Sequence, residues 1–253
     1  MKRGKGSMEH ILRITVIGMV AGVAGTALGG VVALFFRTSS KKVLSFVLEF
    51  SAGLMTAIVC FDLLPSAFEL SSFMQVMAGI VAGILFAMLL QEKIKYSESS
   101  KQKGRSGLFG TGVMMLASIA AHNFPEGLAI GSGFEASMAL GLSLTIVIIV
   151  HDVPEGLALA LPLNKGGVSA SKTVALAALS GIPTGIGALI GAAIGYISKD
   201  VIAVCLAAAG GAMLYVSVGD LIPESKNIYN GRWSAVGNVL GILAGMVIAL
   251  TFR

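Results

Sequence analysis

Two of the chain's three histidines sit in a nine-residue pattern that occurs twice, as His122-Asn123-Phe124-Pro125-Glu126-Gly127-Leu128-Ala129-Ile130 and as His151-Asp152-Val153-Pro154-Glu155-Gly156-Leu157-Ala158-Leu159. Residues four apart share a helix face, so His122 stands beside Glu126 and His151 beside Glu155. Two antiparallel helices can bring these four groups together. Two imidazoles and two carboxylates form a four-coordinate site suited to a borderline divalent metal such as zinc, with ligands at roughly 2.0–2.2 Å. Asn123 and Asp152, each one residue further round, offer with Glu126 and Glu155 a second, all-oxygen position that suits harder cations and selects less sharply. Pro125 and Pro154 remove the helical hydrogen bonds to the carbonyls of Ala121 and Val150, leaving oxygens beside the ligands for a cation or water. Gly127 and Gly156 admit a neighbouring helix or the substrate. A single buried histidine is more often a hydrogen-bonded core residue; duplication of the whole pattern is what favours a metal site.

The elements that position these groups are membrane helices. Of the 253 residues, 55% are hydrophobic and 12% charged, and the mean hydropathy is +0.88, too apolar for an ordinary soluble domain. A net charge of +5 does not imply a nucleic-acid partner, because the basic residues gather in short segments between apolar runs, as in loops facing an anionic bilayer surface. Cys60 and Cys205 lie inside apolar runs without metal-type spacing and are expected to pack in the core. Met1 to Arg13 is basic and precedes an apolar run, but the run continues to about Phe36 with no small-residue cleavage site, so it is assigned as a first span and not a signal peptide.

Runs long enough to cross a hydrocarbon core fall near residues 14–36, 43–66, 73–91, 109–132, 137–161, 173–197, 201–222 and 234–252. The fold class is therefore an all-α membrane protein of eight transmembrane helices in one domain, 1–253, with Gly131-Ser132-Gly133 as the expected connection between the fourth and fifth. If the N-terminus is outside, twelve of the 18 Lys and Arg face inward, four of the outer six belonging to the N-terminal tail; the positive-inside rule thus places both termini outside. Residues 93–107, rich in Lys, Ser and Gly, are expected as a flexible cytoplasmic loop.

Internal repetition organises the helices. Ser51-Ala52-Gly53-Leu54-Met55 followed by Asp62-Leu63-Leu64-Pro65 matches Ala209-Gly210-Gly211-Ala212-Met213 followed by Asp220-Leu221-Ile222-Pro223, an offset of 158. Gly79/Gly83 match Gly241/Gly245, and Gly25/Gly29 match Gly187/Gly191, at 162. Helices one to three then recur as six to eight. An odd separation of five helices makes the copies cross the membrane in opposite senses, an inverted repeat of the kind that holds substrate near the midplane in secondary transporters. Helices four and five, which carry the ligand motifs, form the central pair in a 3+2+3 arrangement. Small residues four apart, such as Gly18/Gly22 and Gly237/Gly241/Gly245, favour close helix packing.

Outside the central pair, Asp62 and Asp220 occupy equivalent places at opposite membrane ends. Asp62 is expected near the outer mouth and Asp220 with Glu224 near the inner, as pathway residues or, equally, as interfacial and capping groups. Glu69, Glu49 and His10 are expected as a surface residue, an inner-half polar contact and a solvated tail residue.

With the His-Asn-x-Pro-Glu-Gly motif at 122–127, the His-Asp-x-Pro-Glu-Gly motif at 151–156 and a basic loop between helices three and four, the chain resembles the ZIP (Zrt-, Irt-like) family of divalent metal transporters, most of all its prokaryotic GufA-like branch, across all eight helices. The resemblance implies transport of zinc, with iron, manganese, cobalt and cadmium as further cargoes, toward the cytoplasm across the cell membrane. It also implies a two-metal centre: one site of His122, Glu126, His151 and Glu155, the other of Asn123, Glu126, Asp152 and Glu155. Some relatives complete the second site with a glutamate on helix six, where Ser180-Gly181-Ile182-Pro183-Thr184-Gly185 offers only Thr184. The stretch 93–107 also lacks the histidines that many relatives carry there.

These readings converge on alternating access, with helices four and five carrying the metal, a divalent ion as substrate and no cofactor. The rivals are an intramembrane zinc-dependent hydrolase, disfavoured because the spacing is His-x-x-x-Glu and not His-Glu-x-x-His, and a metal-gated receptor or channel. The sequence leaves open the preferred metal, the energy source and the oligomeric state, a homodimer included.

Overall fold

The protein is described here by a computed structural model covering residues 2–35, 40–101 and 108–251, with side chains described for 8–35, 40–93, 113 and 115–251. It is helical, with no strand among the described residues. Eight helices follow in order: α1 Lys2–Phe35, α2 Lys41–Leu70, α3 Phe73–Lys101, α4 Leu108–Ala136, α5 Met138–Lys165, α6 Ala170–Gly195, α7 Lys199–Ile228 and α8 Arg232–Thr251. Seven are long and apolar enough to cross a membrane. The exception is α4, whose described part carries His122, Asn123, Pro125 and Glu126 at its middle.

Serines set several helix starts. The hydroxyl of Ser40 accepts from Lys42 N (3.2 Å), that of Ser137 from Leu140 N (3.1 Å) and that of Ser198 from Val201 N (3.3 Å), satisfying amides that a first turn leaves unpaired. Ser137 corrects one expected boundary. The chain stays helical through Gly131-Ser132-Gly133 and breaks at the Ser137 cap, because these glycines serve close packing: a side chain on Gly131 would meet Ala188 of α6, and one on Gly133 would meet Leu144 of α5. At the other end of α4, α3 continues as helix to Lys101, through the first nine residues of the stretch expected as a loop. The rest of that stretch, 102–107, lies outside the described residues.

The helices pack as two groups. In one, α1 lies against α5 and α6, and α4 against α5 and α6; in the other, α2 pairs with α8 and α3 with α7. Contact between the groups runs mainly through α4 against α7 and α2 against α5. The central position of α5 shows in its burial, 72% of its apolar window against 22% for α3 and 28% for α8.

The repeat is present and its register is uniform. A π-helical turn interrupts α2 at Val59–Leu63 and α7 at Ser217–Leu221, 158 residues apart, each with its aspartate fourth and a proline two residues past its end. Glycine contacts carry the same offset into the other helices. Gly29 abuts Val153 O and Leu157 N as Gly187 abuts Phe124 O and Leu128 N, and Gly237 abuts Phe46 as Gly79 abuts Val204. The offset of 162 expected for these helices is one turn out, since glycines four apart match equally well after a four-residue slip. Opposed direction is also visible: Gly18, Gly22 and Gly30 of α1 meet Ala188, Thr184 and Val174 of α6 in descending order.

Candidate metal centre

Four side chains from the centres of α4 and α5 converge. One ligand atom from each of Glu126, His151, Asp152 and Glu155 lies within 4.8 Å of the others, and all four residues are at most 1% exposed. Both oxygens of Glu126, Asp152 and Glu155, together with His151 Nε2, are buried without a hydrogen-bond partner. His151 Nε2 is 3.3 Å from Glu126 Oε1 and 3.1 Å from Glu155 Oε1, close enough for electrostatic attraction but not aligned as a hydrogen bond. Three carboxylates held together inside a bilayer are unstable as bare charges. A divalent cation would both neutralise most of that charge and occupy the unpartnered atoms, and one imidazole nitrogen with carboxylate oxygens is a donor set zinc accepts.

This grouping differs from either four-residue set expected from the sequence, because it joins His151 and Asp152 and omits His122 and Asn123. His122 turns toward α7, its Nε2 3.2 Å from Asp220 Oδ2 and 3.4 Å from Gln91 Nε2 of α3, while its Nδ1 is buried without a hydrogen-bond partner. It lines a cavity of about 310 Å³ that runs from exposed Glu224 past Asp220, Gln91 and His122 to Glu155. His122 thus lines the same cavity as Glu155 of the cluster and the acidic Asp220 and Glu224. Asn123 is held by α6: its Nδ2 donates to Ser180 O at 2.7 Å. That carbonyl is available because α6 breaks at Gly181, where Thr184 N bonds Gly181 O instead (3.2 Å). Asn123 Oδ1 and Thr184 Oγ1 are both buried without partners.

The remaining candidates divide between the two ends. Asp62, in the π turn of α2, is 6% exposed and accepts from Ser143 Oγ at 2.7 Å. Asp220, in the π turn of α7, has a side chain 17% exposed and meets His122. Glu224 is exposed one turn later. Glu49 is buried, with Asn238 Nδ2 donating to its carbonyl (3.3 Å), and Glu69 is exposed. His10 is not simply solvated, since its Nε2 lies 3.0 Å from Glu135 Oε1 on α4. Cys60 is exposed on its helix and Cys205 half-buried, so neither is the core residue expected.

Sequence reasoning missed Ser51, Gln91 and Ser180. Ser51 Oγ is 2.5 Å from His151 Nδ1. A buried glutamine within a span, 6% exposed at Gln91, was a readable signal. The other two act through a hydroxyl and a carbonyl that no residue pattern distinguishes.

Comparison with known proteins decides among the classes such a centre could serve. A family model described as ZIP Zinc transporter matches residues 90–253, which hold both ligand motifs and α4 to α8. The chain belongs to the ZIP family. It is 32% identical over 267 residues to the zinc transporter ZupT of Akkermansia muciniphila, covering 96% of this chain and 97% of that protein. It is 33% identical over 248 residues to the zinc transporter GufA of Myxococcus xanthus, covering 93% and 97%. To the ZupT of Campylobacter jejuni it is 30% identical over 283 residues, covering 96% of each. ZIP proteins are transporters and not enzymes, which removes the hydrolase reading, and this one is a multi-pass membrane protein.

Proposed function

We propose that this ZIP protein carries zinc across the cell membrane toward the cytoplasm by alternating access, holding the ion at Glu126, His151, Asp152 and Glu155. His122 and Asn123 complete the coordination as the ion enters or leaves, and Thr184 supplies a neutral oxygen beside Asn123. The observation that carries the reading is the cluster of buried, unpartnered ligand atoms, one member of which, Glu155, lines a cavity shared with His122, Asp220 and exposed Glu224. Both termini lie outside in this reading, so the cavity end with Asp220 and Glu224 faces the cytoplasm. Twelve of the 18 Lys and Arg then face inward.

Register between the two helix groups supports alternation. Asp220 is level with His122 on α4, whereas its counterpart Asp62 is level with Ser143, two turns before His151 on α5. Exchanging the two halves would bring Asp62 level with His151, which requires the group α1, α4, α5 and α6 to move along α2 and α7 by roughly 12 Å at 1.5 Å per residue. The repeat makes the two placements alike in kind. The ligands and cavity all come from one chain, so a homodimer is compatible with the mechanism and not required by it.

Reconstituted protein should take up zinc into vesicles, and Glu126→Ala and Glu155→Ala should abolish uptake while eluting as folded protein. Unchanged uptake in either variant refutes the reading. Competition with iron, manganese, cobalt and cadmium in the same vesicles ranks the cargoes.

A further inference from the structure

We infer that Ser51 is a positioning residue for the ligand His151, fixing the imidazole with its proton on Nδ1 so that the Nε2 lone pair faces Glu126, Asp152 and Glu155. The inference rests on the metal-site reading above and concerns a residue on the opposite helix group. Ser51 is fully buried on α2, and it meets His151 three times. Its Oγ lies 2.5 Å from Nδ1 and 3.2 Å from the main-chain oxygen of His151, while its own carbonyl oxygen lies 3.3 Å from Nδ1.

Those contacts admit one assignment that satisfies every group. A carbonyl oxygen only accepts, so Nδ1, set between Ser51 Oγ and Ser51 O, is matched when it carries the hydrogen. The Ser51 hydroxyl then receives from Nδ1–H and donates its own hydrogen to His151 O. In the other tautomer Nδ1 would have to accept from the hydroxyl while its lone pair faced Ser51 O, and His151 O would lose that donor. With Nδ1 protonated, Nε2 is the nitrogen left to bind metal, and it is the atom that lies beside the carboxylates without a hydrogen-bond partner. A partner on the far nitrogen is how proteins orient ligating histidines, and its removal typically lowers metal affinity about 10- to 100-fold.

The repeat strengthens the assignment. The residue equivalent to Ser51 on α7 is Ala209, which has no hydroxyl, and the equivalent histidine, His122, takes Asp220 and Gln91 as partners through Nε2 instead. The two histidines of one duplicated motif are therefore oriented through opposite ring nitrogens. His151 presents Nε2 to the centre; His122 has Nε2 engaged on the cavity side.

The test uses full-length protein in detergent micelles, loaded with zinc and labelled with 15N-histidine, the His151 signals being identified by their loss in His151→Asn. Wild type should show a protonated Nδ1 and a metal-bound Nε2 at His151. Measured without zinc, Ser51→Ala should shift His151 from the Nδ1-protonated form that wild type keeps toward the other tautomer, and it should bind zinc about 10-fold more weakly by titration calorimetry. Ser51→Thr, which keeps the hydroxyl, should restore both. In vesicles the Ser51→Ala defect should appear as a raised KM with maximal rate retained, a split that general misfolding does not produce. Ser51→Ala with wild-type 15N pattern and zinc affinity within two-fold overturns the inference. So does Ser51→Ala with both properties changed and neither recovered in a Ser51→Thr protein that elutes as folded. If His151→Asn and Glu155→Ala also bind and transport zinc normally, the metal-site reading fails instead, which separates the two outcomes.

Discussion

The two ends of the molecule are built from the same segment and differ in what they let in. At the α2 end, Asp62 is closed over and held by Ser143; at the α7 end, Asp220 stands in a cavity beside His122. A second contrast accompanies the first. Where α2, α7 and α8 meet, Ser45 Oγ lies 2.8 Å from Ser225 Oγ and 2.6 Å from Ser234 Oγ, and Tyr229 O, 3.0 Å from both Ser45 Oγ and Ser234 Oγ, is the acceptor they share. The repeat-related positions at the other end are Ala203, Ala67 and Val76, all fully buried. One corner is tied by hydroxyls and the other closed by methyl groups, within a framework that is otherwise duplicated. Asymmetry of placement can reverse from one state to the other; asymmetry of composition cannot. The aspartates belong to the first kind and the serine corner to the second.

The comparison can be broken most decisively at the centre both ends share. Glu126→Ala and Glu155→Ala should each lower zinc uptake by more than about 100-fold, since removing a charged ligand leaves the remaining buried charges without their ion; a mild loss in one would mean that the halves do not serve a single site. Next in size is accessibility. With Cys60 and Cys205 replaced, a cysteine at Ser118, which lines the cavity, should react with a membrane-impermeant thiol reagent at least about 10-fold faster than one at Ser143, because reactivity follows access. Equal rates would contradict one-sided opening. Asp220→Asn should then slow uptake by about 10-fold by weakening the charge-assisted contact with His122, and Asp62→Asn, which still accepts from Ser143, should cost less under conditions that hold this placement. Smallest is the corner itself. Ser45→Ala should lower thermal stability by about 1 kcal/mol, while Ala203→Ser should destabilise by burying a hydroxyl with no partner; melting curves of the two variants check the pair.

Much of this was legible beforehand because bilayer chemistry writes plainly. Span lengths, the duplicated histidine motifs and the Asp-Leu-x-Pro match needed only composition and spacing. Register was harder, as Gly25/Gly29 and Gly79/Gly83 show: a spacing of four that matches itself after one turn hides a one-turn slip, and the packing of Gly29 against Val153 with Gly187 against Phe124, and of Gly79 against Val204 with Gly237 against Phe46, fixes it. The loop expected between α4 and α5 failed for a related reason, since a glycine that admits Ala188 reads in sequence like one that ends a helix. The ligand grouping depended on how far α4 and α5 are displaced along α2 and α7, which selects Asp220 as the neighbour of His122. In the sequence Ser51 stands out only as part of a repeat, and its role arises from a residue 100 positions away.

The π turns at Val59–Leu63 and Ser217–Leu221 stand at the same place in both copies, each with a proline two residues past its end. Such turns are rare and gather at functional sites. Each here carries the aspartate that reaches across to a central helix, Asp62 to Ser143 and Asp220 to His122. The widened turn is thus the common mount of the two aspartates, and what differs between them is the partner each one meets.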